Sequence, residues 1–102
     1  MNTQTRLIKE SPLVQGVDER IAYILDTTPW GGTPSLPAVV IKSAAGIDVT
    51  ATYASGSASV SGDDITTPVI HSLVNDTQYR LEVKFTISGN VFEAYAELYG
   101  QT

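Results

Sequence analysis

The chain has 102 residues, no cysteine, 42% hydrophobic and 17% charged side chains, and a net charge of −5 from six basic and eleven acidic residues. That length suits one domain with a single core, and the composition excludes a disordered tail, a coiled coil and a disulfide framework. The bases Arg6, Lys9, Arg20, Lys42, Arg80 and Lys84 are scattered, so an acidic surface that repels phosphate backbones argues against a nucleic-acid partner.

The opening Met1-Asn2-Thr3-Gln4 is polar and lacks the basic start and apolar run of a signal peptide. No apolar run approaches the roughly 20 residues of a membrane span. A soluble protein with no membrane partner, not exported by the usual route, is expected. Thr5–Lys9 reads as a first edge strand or an ordered arm within residues 1–10, available to a neighbouring subunit, before Pro12 ends regular pairing. Arg20–Asp26 is apolar on both faces, as a central strand is, with Ile21, Tyr23 and Leu25 on one side.

The loop T-T-P-W-G-G-T-P-S-L-P follows, Thr27 to Pro37. Its three prolines and two glycines predict neither helix nor strand. Trp30, the only tryptophan, has two readings: a lid folded over the open end of the core, or the aromatic tip of a rigid contact loop. Ala38–Ser43 is predicted as a strand with Val39 and Ile41 inward and Lys42 outward, and Ala44-Ala45-Gly46 as a turn. Ile47–Tyr53 alternates and reads as another strand, followed by a turn at Ala54-Ser55-Gly56 and a weak edge strand over Ser57–Ser61. Ile65–Ile70 contains Pro68, which implies an edge or a bulge. Turn signals spaced about 8–12 residues apart predict an all-β sandwich or barrel.

From Leu73 to Tyr99 the pattern predicts one long hairpin. Tyr79, Leu81, Val83, Phe85 and Ile87 alternate with polar residues, and past Gly89-Asn90 so do Phe92, Ala94, Ala96 and Leu98. With Gly89 and Asn90 as a two-residue turn, Ile87 faces Phe92, Phe85 faces Ala94, and Glu82 meets Glu97 on the outer side.

No catalytic constellation is expected. His71 is the only histidine, and Ser72 beside it should point to the opposite face. One histidine without cysteine makes a zinc site unexpected. Asp48, Asp63 and Asp64 follow no calcium-loop pattern. Trp30-Gly31-Gly32-Thr33 lacks the lysine of a phosphate loop, and Glu82, Glu93 and Glu97 share an outer sheet face and not a cleft. The expectation is no enzyme, no cofactor and no metal.

Leu73-Val74-Asn75-Asp76-Thr77-Gln78-Tyr79-Arg80-Leu81-Glu82-Val83 resembles the run into the penultimate strand of immunoglobulin-like and fibronectin type III domains. The resemblance implies a single immunoglobulin-like antiparallel β-sandwich of about seven strands over residues 1–102. It makes Tyr79 a tyrosine corner, hydroxyl bonded to backbone a few residues upstream and ring in the core. The order of pieces, Tyr23-Ile24-Leu25-Asp26, the Thr-Pro-Trp-Gly-Gly-Thr-Pro-Ser loop, Gly46-Ile47-Asp48-Val49-Thr50 and Leu73 to Leu81, also resembles the small acidic β-sandwich structural proteins of tailed phages and prophages. That resemblance implies a head, connector or tail component, in the virion or in the host cytoplasm during assembly. Its partners would be other virion proteins or further copies of itself. Contact candidates are Trp30 with its loop, the N-terminal arm, and Tyr95 with Tyr99 on the outward face of the last strand. The alternative is a carbohydrate- or cell-surface-binding module in which Trp30, Tyr95 or Tyr53 stacks on a sugar ring.

Overall fold

The computed structural model describes residues 11–102, so the strand or arm expected over Thr5–Lys9 lies outside the described residues. In chain order the strands are β1 (Leu13–Gly16), β2 (Ile24–Asp26), β3 (Ser35–Ser43), β4 (Ala54–Ser55), β5 (Ser59–Ser61), β6 (Asp64–Thr66), β7 (Val69–Ile70), β8 (Thr77–Ile87) and β9 (Asn90–Gln101). A 3-10 turn over Thr28–Trp30 precedes β3, and a single helical turn, α1 (Thr50–Tyr53), follows it. The chain is thus mostly β with almost no helix.

The strands form a four-stranded sheet in the order β1-β9-β8-β3, a three-stranded sheet β2-β6-β5 and a ribbon β4-β7. All pairs are antiparallel except β1 with β9. The inner face of the large sheet contributes Ile41, Leu81, Val83, Phe85, Ala96 and Leu98 to one buried cluster. Leu25, Ile65 and Ile70 of the smaller sheets join it, with Trp30, Leu73, Tyr79, Ile87 and Ala94. Burying a side chain of this size fully contributes about 1.5–3 kcal/mol, so this shared core holds the sheets together.

The β8–β9 hairpin forms with the expected faces but a different register. The reversal is Ser88-Gly89, not Gly89-Asn90; both residues have positive φ, 50° and 82°, as a two-residue primed turn requires. Asn90 instead pairs with Ile87 as the first residue of β9. Phe85 therefore faces Phe92, Val83 faces Ala94, Leu81 faces Ala96 and Tyr79 faces Leu98. A two-residue shift leaves every side chain on its predicted face. On the outer face it sets Arg80 opposite Glu97 and Lys84 opposite Glu93, while Glu82 faces Tyr95. The anticipated Glu82–Glu97 facing gives way to opposite charges across the ladder, and the Glu97 carboxylate accepts from Gln78 Nε2 at 2.6 Å.

Four further expectations are corrected. Arg20–Asp26 is not one strand: only Ile24–Asp26 joins a sheet, and Ile21 makes an isolated bridge to Ile70. Between them the Tyr23 N–H donates to Thr67 Oγ1 at 2.9 Å, so a side chain takes part in the pairing. Ile47–Tyr53 is not a strand. Asp48 Oδ1 accepts both the Thr50 N–H, at 2.9 Å, and the Thr50 hydroxyl, at 2.6 Å. This local capture starts a helical turn and competes successfully with sheet pairing. Ser35-Leu36-Pro37 belongs to β3 and not to the loop, at the cost of a register irregularity between Ser35 and Ala38. Finally, regular pairing resumes immediately after Pro12, as the parallel strand β1.

Two buried polar side chains tie the layers. Gln15 donates from Nε2 to the carbonyls of Ile70 (2.7 Å) and Glu19 (3.0 Å), while its Oε1 accepts the Tyr23 hydroxyl at 2.8 Å. Every hydrogen-bonding atom of the buried amide except one lone pair is thereby engaged. Tyr79 is buried and its hydroxyl accepts the Val74 N–H at 3.0 Å, with its ring set edge-on to Tyr53 at 4.9 Å between centroids.

Candidate contact surface at the loop end

Three connections meet at one end of the sheets: the loop between β2 and β3, the turn between β5 and β6, and the Ser88-Gly89 reversal. The first is shaped from within. Pro29 presets the 3-10 turn, and Gly31 and Gly32 then take φ of 123° and 128°, which L side chains rarely adopt. The chain swings so that Trp30 points inward, 7% exposed, with its ring edge-on to Phe85 at 5.7 Å between centroids. The lid reading of Trp30 therefore describes the structure, and its reading as an exposed contact tip is corrected. Gly31 lies over Ile87, close enough that an added Cβ would sit 3.7 Å from Ile87 Cγ2, which brings the hairpin tip against the loop.

Hydrogen bonds then fasten the loop to the β5–β6 turn. The Thr27 N–H donates to the Asp63 carbonyl at 2.7 Å. The buried Thr27 hydroxyl lies 2.6 Å from the Gly32 carbonyl and 2.8 Å from that of Asp63, and donates its one proton between them. The Asp63 carboxylate accepts the Thr33 hydroxyl at 2.8 Å and stands 3.2 Å from that of Thr28. Thr28 in turn is 2.6 Å from Asp26 Oδ1, which also accepts the Thr28 N–H at 2.9 Å. Those two donors, the hydroxyl first, hold the Asp26 carboxyl below the usual carboxylate range. The result is a loop with a fixed shape, because both its ends and its middle have partners.

Leu36 stands out on this end. It sits in the irregular step of β3 with φ of 52°, and 78% of its surface is exposed. A bulge of this kind ordinarily places glycine in the left-handed position, where any other L-residue costs about 1–2 kcal/mol. Val91, 61% exposed, lies in the cross-strand row Ser35-Thr86-Val91, beside the step that holds Leu36. Segments 26–36, 61–66 and 86–92 carry Asp26, Asp63 and Asp64 and no lysine, arginine or histidine.

The four aromatic contact candidates are not brought together. Trp30 is in the core, and Tyr53 is half-buried on α1 against Tyr79. Tyr95 lies on the outer face with the Arg80 guanidinium 3.9 Å from its ring centroid. Arg80 Nε is 3.2 Å from Glu82 Oε2, close enough for charge pairing but too poorly aligned for a hydrogen bond, and Lys42 Nζ is 3.6 Å from Glu82 Oε1. At about one-third exposure such pairs contribute at most about 1 kcal/mol. Tyr99 is half-buried on the same outer face between Val14 and Gln78. Gly89 lies in the turn, while Asn90 belongs to β9.

His71 also departs from expectation. Ser72 adopts φ of 61° and turns its hydroxyl back to within 2.8 Å of His71 Nδ1, while Ser55 Oγ lies 2.9 Å from Nε2. One ring nitrogen donates and the other accepts in the neutral imidazole, so the ring braces the β4–β7 ribbon. Among the described residues no group of three or more His, Asp or Glu side chains is placed to hold a metal ion, and no helix is long and apolar enough to cross a membrane. Asp48 is engaged with Thr50, which draws its carboxyl below the usual range, its hydroxyl more than its N–H.

No family model matches the chain, and neither a curated protein nor a solved structure matches it. The Asp63 fastening and the exposure of Leu36 escaped the sequence reading. Their signals were a threonine-rich loop facing an Asp-Asp turn, and a large apolar residue wedged between Ser35 and Pro37.

Proposed function

We propose that the chain is an immunoglobulin-like domain that acts without catalysis, as a protein–protein contact module in the head, connector or tail of a tailed-phage or prophage particle. The strand orders β2-β6-β5 and β3-β8-β9 correspond to the B-E-D and C-F-G strands of such a sandwich, and the Val74–Tyr79 hydrogen bond occupies the place of its tyrosine corner. The strand β1 departs from the simplest version by running parallel beside β9. The phage assignment draws on the resemblance in the order of sequence pieces.

The observation that carries the contact reading is the fastened loop end. A surface already ordered before binding loses little conformational freedom on association, which favours recognition over chemistry as its use. The sugar-platform alternative is less favoured. Trp30 is buried, Tyr53 packs on Tyr79, and Arg80 covers the ring of Tyr95, so those aromatic faces are already in use.

The test is pairwise binding of the purified chain to the purified products of its neighbouring genes, alongside light scattering and a glycan array. Binding to a neighbouring virion protein, or a defined multimer, is the expected result. A strict monomer that binds a glycan and no protein would remove this proposal.

A further inference from the structure

We infer that Leu36 is the anchor of a docking surface at the loop end, and that its partner is a protein surface with an apolar pocket ringed by lysine or arginine side chains. The inference rests on the contact reading above and names what the partner must look like. Leu36 is a large aliphatic side chain held out into solvent at a backbone position suited to glycine. Folding gains nothing from it there, since it neither enters the core nor suits its own φ. An aliphatic side chain already fixed in the open on an ordered frame fills a partner's pocket at little cost in ordering. Pro37 fixes its own φ directly after Leu36, and Val91, also exposed, lies at the same end of the sheet.

The chemistry of the partner follows from charge. The three segments that make this end carry three aspartates and no base. Asp26 and Asp63 are engaged with Thr28 and Thr33, whose hydroxyls are neutral and bring no opposite charge. A partner that buries Leu36 must approach this field, and a basic rim around its pocket meets it with complementary potential. A second copy of the chain, with its own net charge of −5, meets it less well.

The test uses the full chain, with the purified products of the neighbouring genes as probes, in low and in physiological salt. Leu36→Gly is the informative variant, because it suits the backbone at this position and so separates binding from folding. Asp64→Asn probes the charge without touching the Thr28 and Thr33 contacts. The expected result is a probe whose affinity falls at least tenfold with Leu36→Gly, falls several-fold with Asp64→Asn, and weakens as salt rises. A probe that binds both variants as tightly as the parent would overturn the Leu36 surface while leaving the contact reading in place. Failure of every probe to bind, with the chain a strict monomer, would overturn both. Self-association abolished by Leu36→Gly would make a second copy the occupant and overturn the basic-partner assignment.

Discussion

Thr33 donates its hydroxyl to the carboxylate of Asp63 at 2.8 Å across thirty positions of sequence, and this contact couples the β2–β3 loop to the β5–β6 turn. Replacing Asp63 by alanine removes the acceptor for Thr33 while the Thr27 bonds to the Asp63 backbone remain. We expect a cost of about 1 kcal/mol in chemical denaturation, as for a partly exposed hydrogen bond. Amide exchange should accelerate over residues 28–33 and stay unchanged in β8 and β9. Unchanged exchange in the loop would show that Trp30 and the Thr27 bonds hold it without the carboxylate.

Tyr79→Phe keeps the buried ring and leaves the Val74 N–H without its acceptor. The expected loss is about 1–2 kcal/mol, measured as a lower denaturation midpoint at unchanged slope. The neighbouring Asp76 N–H, bonded to the Gly100 carbonyl at 2.9 Å, should remain protected from exchange.

Leu36→Gly should raise stability by up to about 1 kcal/mol by relieving the left-handed conformation. For a domain of this size that corresponds to a rise in Tm of roughly 4–8 °C per kcal/mol. A drop in Tm would mean that Leu36 packs against something that stabilises the fold.

The pH profile has two limbs. Asp26 and Asp48 carry carboxyl groups whose folded values are lowered by Thr28 and Thr50 respectively, hydroxyl first and N–H second. Their contribution is complete above the ordinary carboxylate value of about 4 and is lost as pH falls through the folded values. Tyr23 and Tyr79 are raised, chiefly by burial, so their contribution is complete below about pH 10 and is lost as pH rises through the folded values. Tm should therefore fall on both limbs, as pH drops below about 4 and as it rises above about 10. Asp48→Asn, which retains the Oδ1 acceptor but does not titrate, should make the acid limb shallower.

The faces of β8 and β9 were legible in the sequence because period-two alternation states which side chains are buried. Their register was not, because a shift of two residues leaves that pattern unchanged. The charges held the missing information: only the observed register sets Arg80 against Glu97 and Lys84 against Glu93. Over Ile47–Tyr53 the alternation misled, since Asp48 captures the Thr50 N–H before a strand can form. The backbone angle of Ser72 carries no signature in residue type, so the Ser55–His71–Ser72 bridge was not predictable from it. Trp30 illustrates the middle case, where composition allowed two fates and packing against Phe85 selects one.

Hydrogen–deuterium exchange of the chain with and without a neighbouring-gene product that binds it tests the proposed contact surface most directly. The account predicts new protection over residues 27–36, 62–64 and 88–91, with residues 78–84 and 93–99 unaffected. Protection confined to Arg80, Tyr95 and Tyr99, with the loop end exchanging as in the free chain, would contradict it.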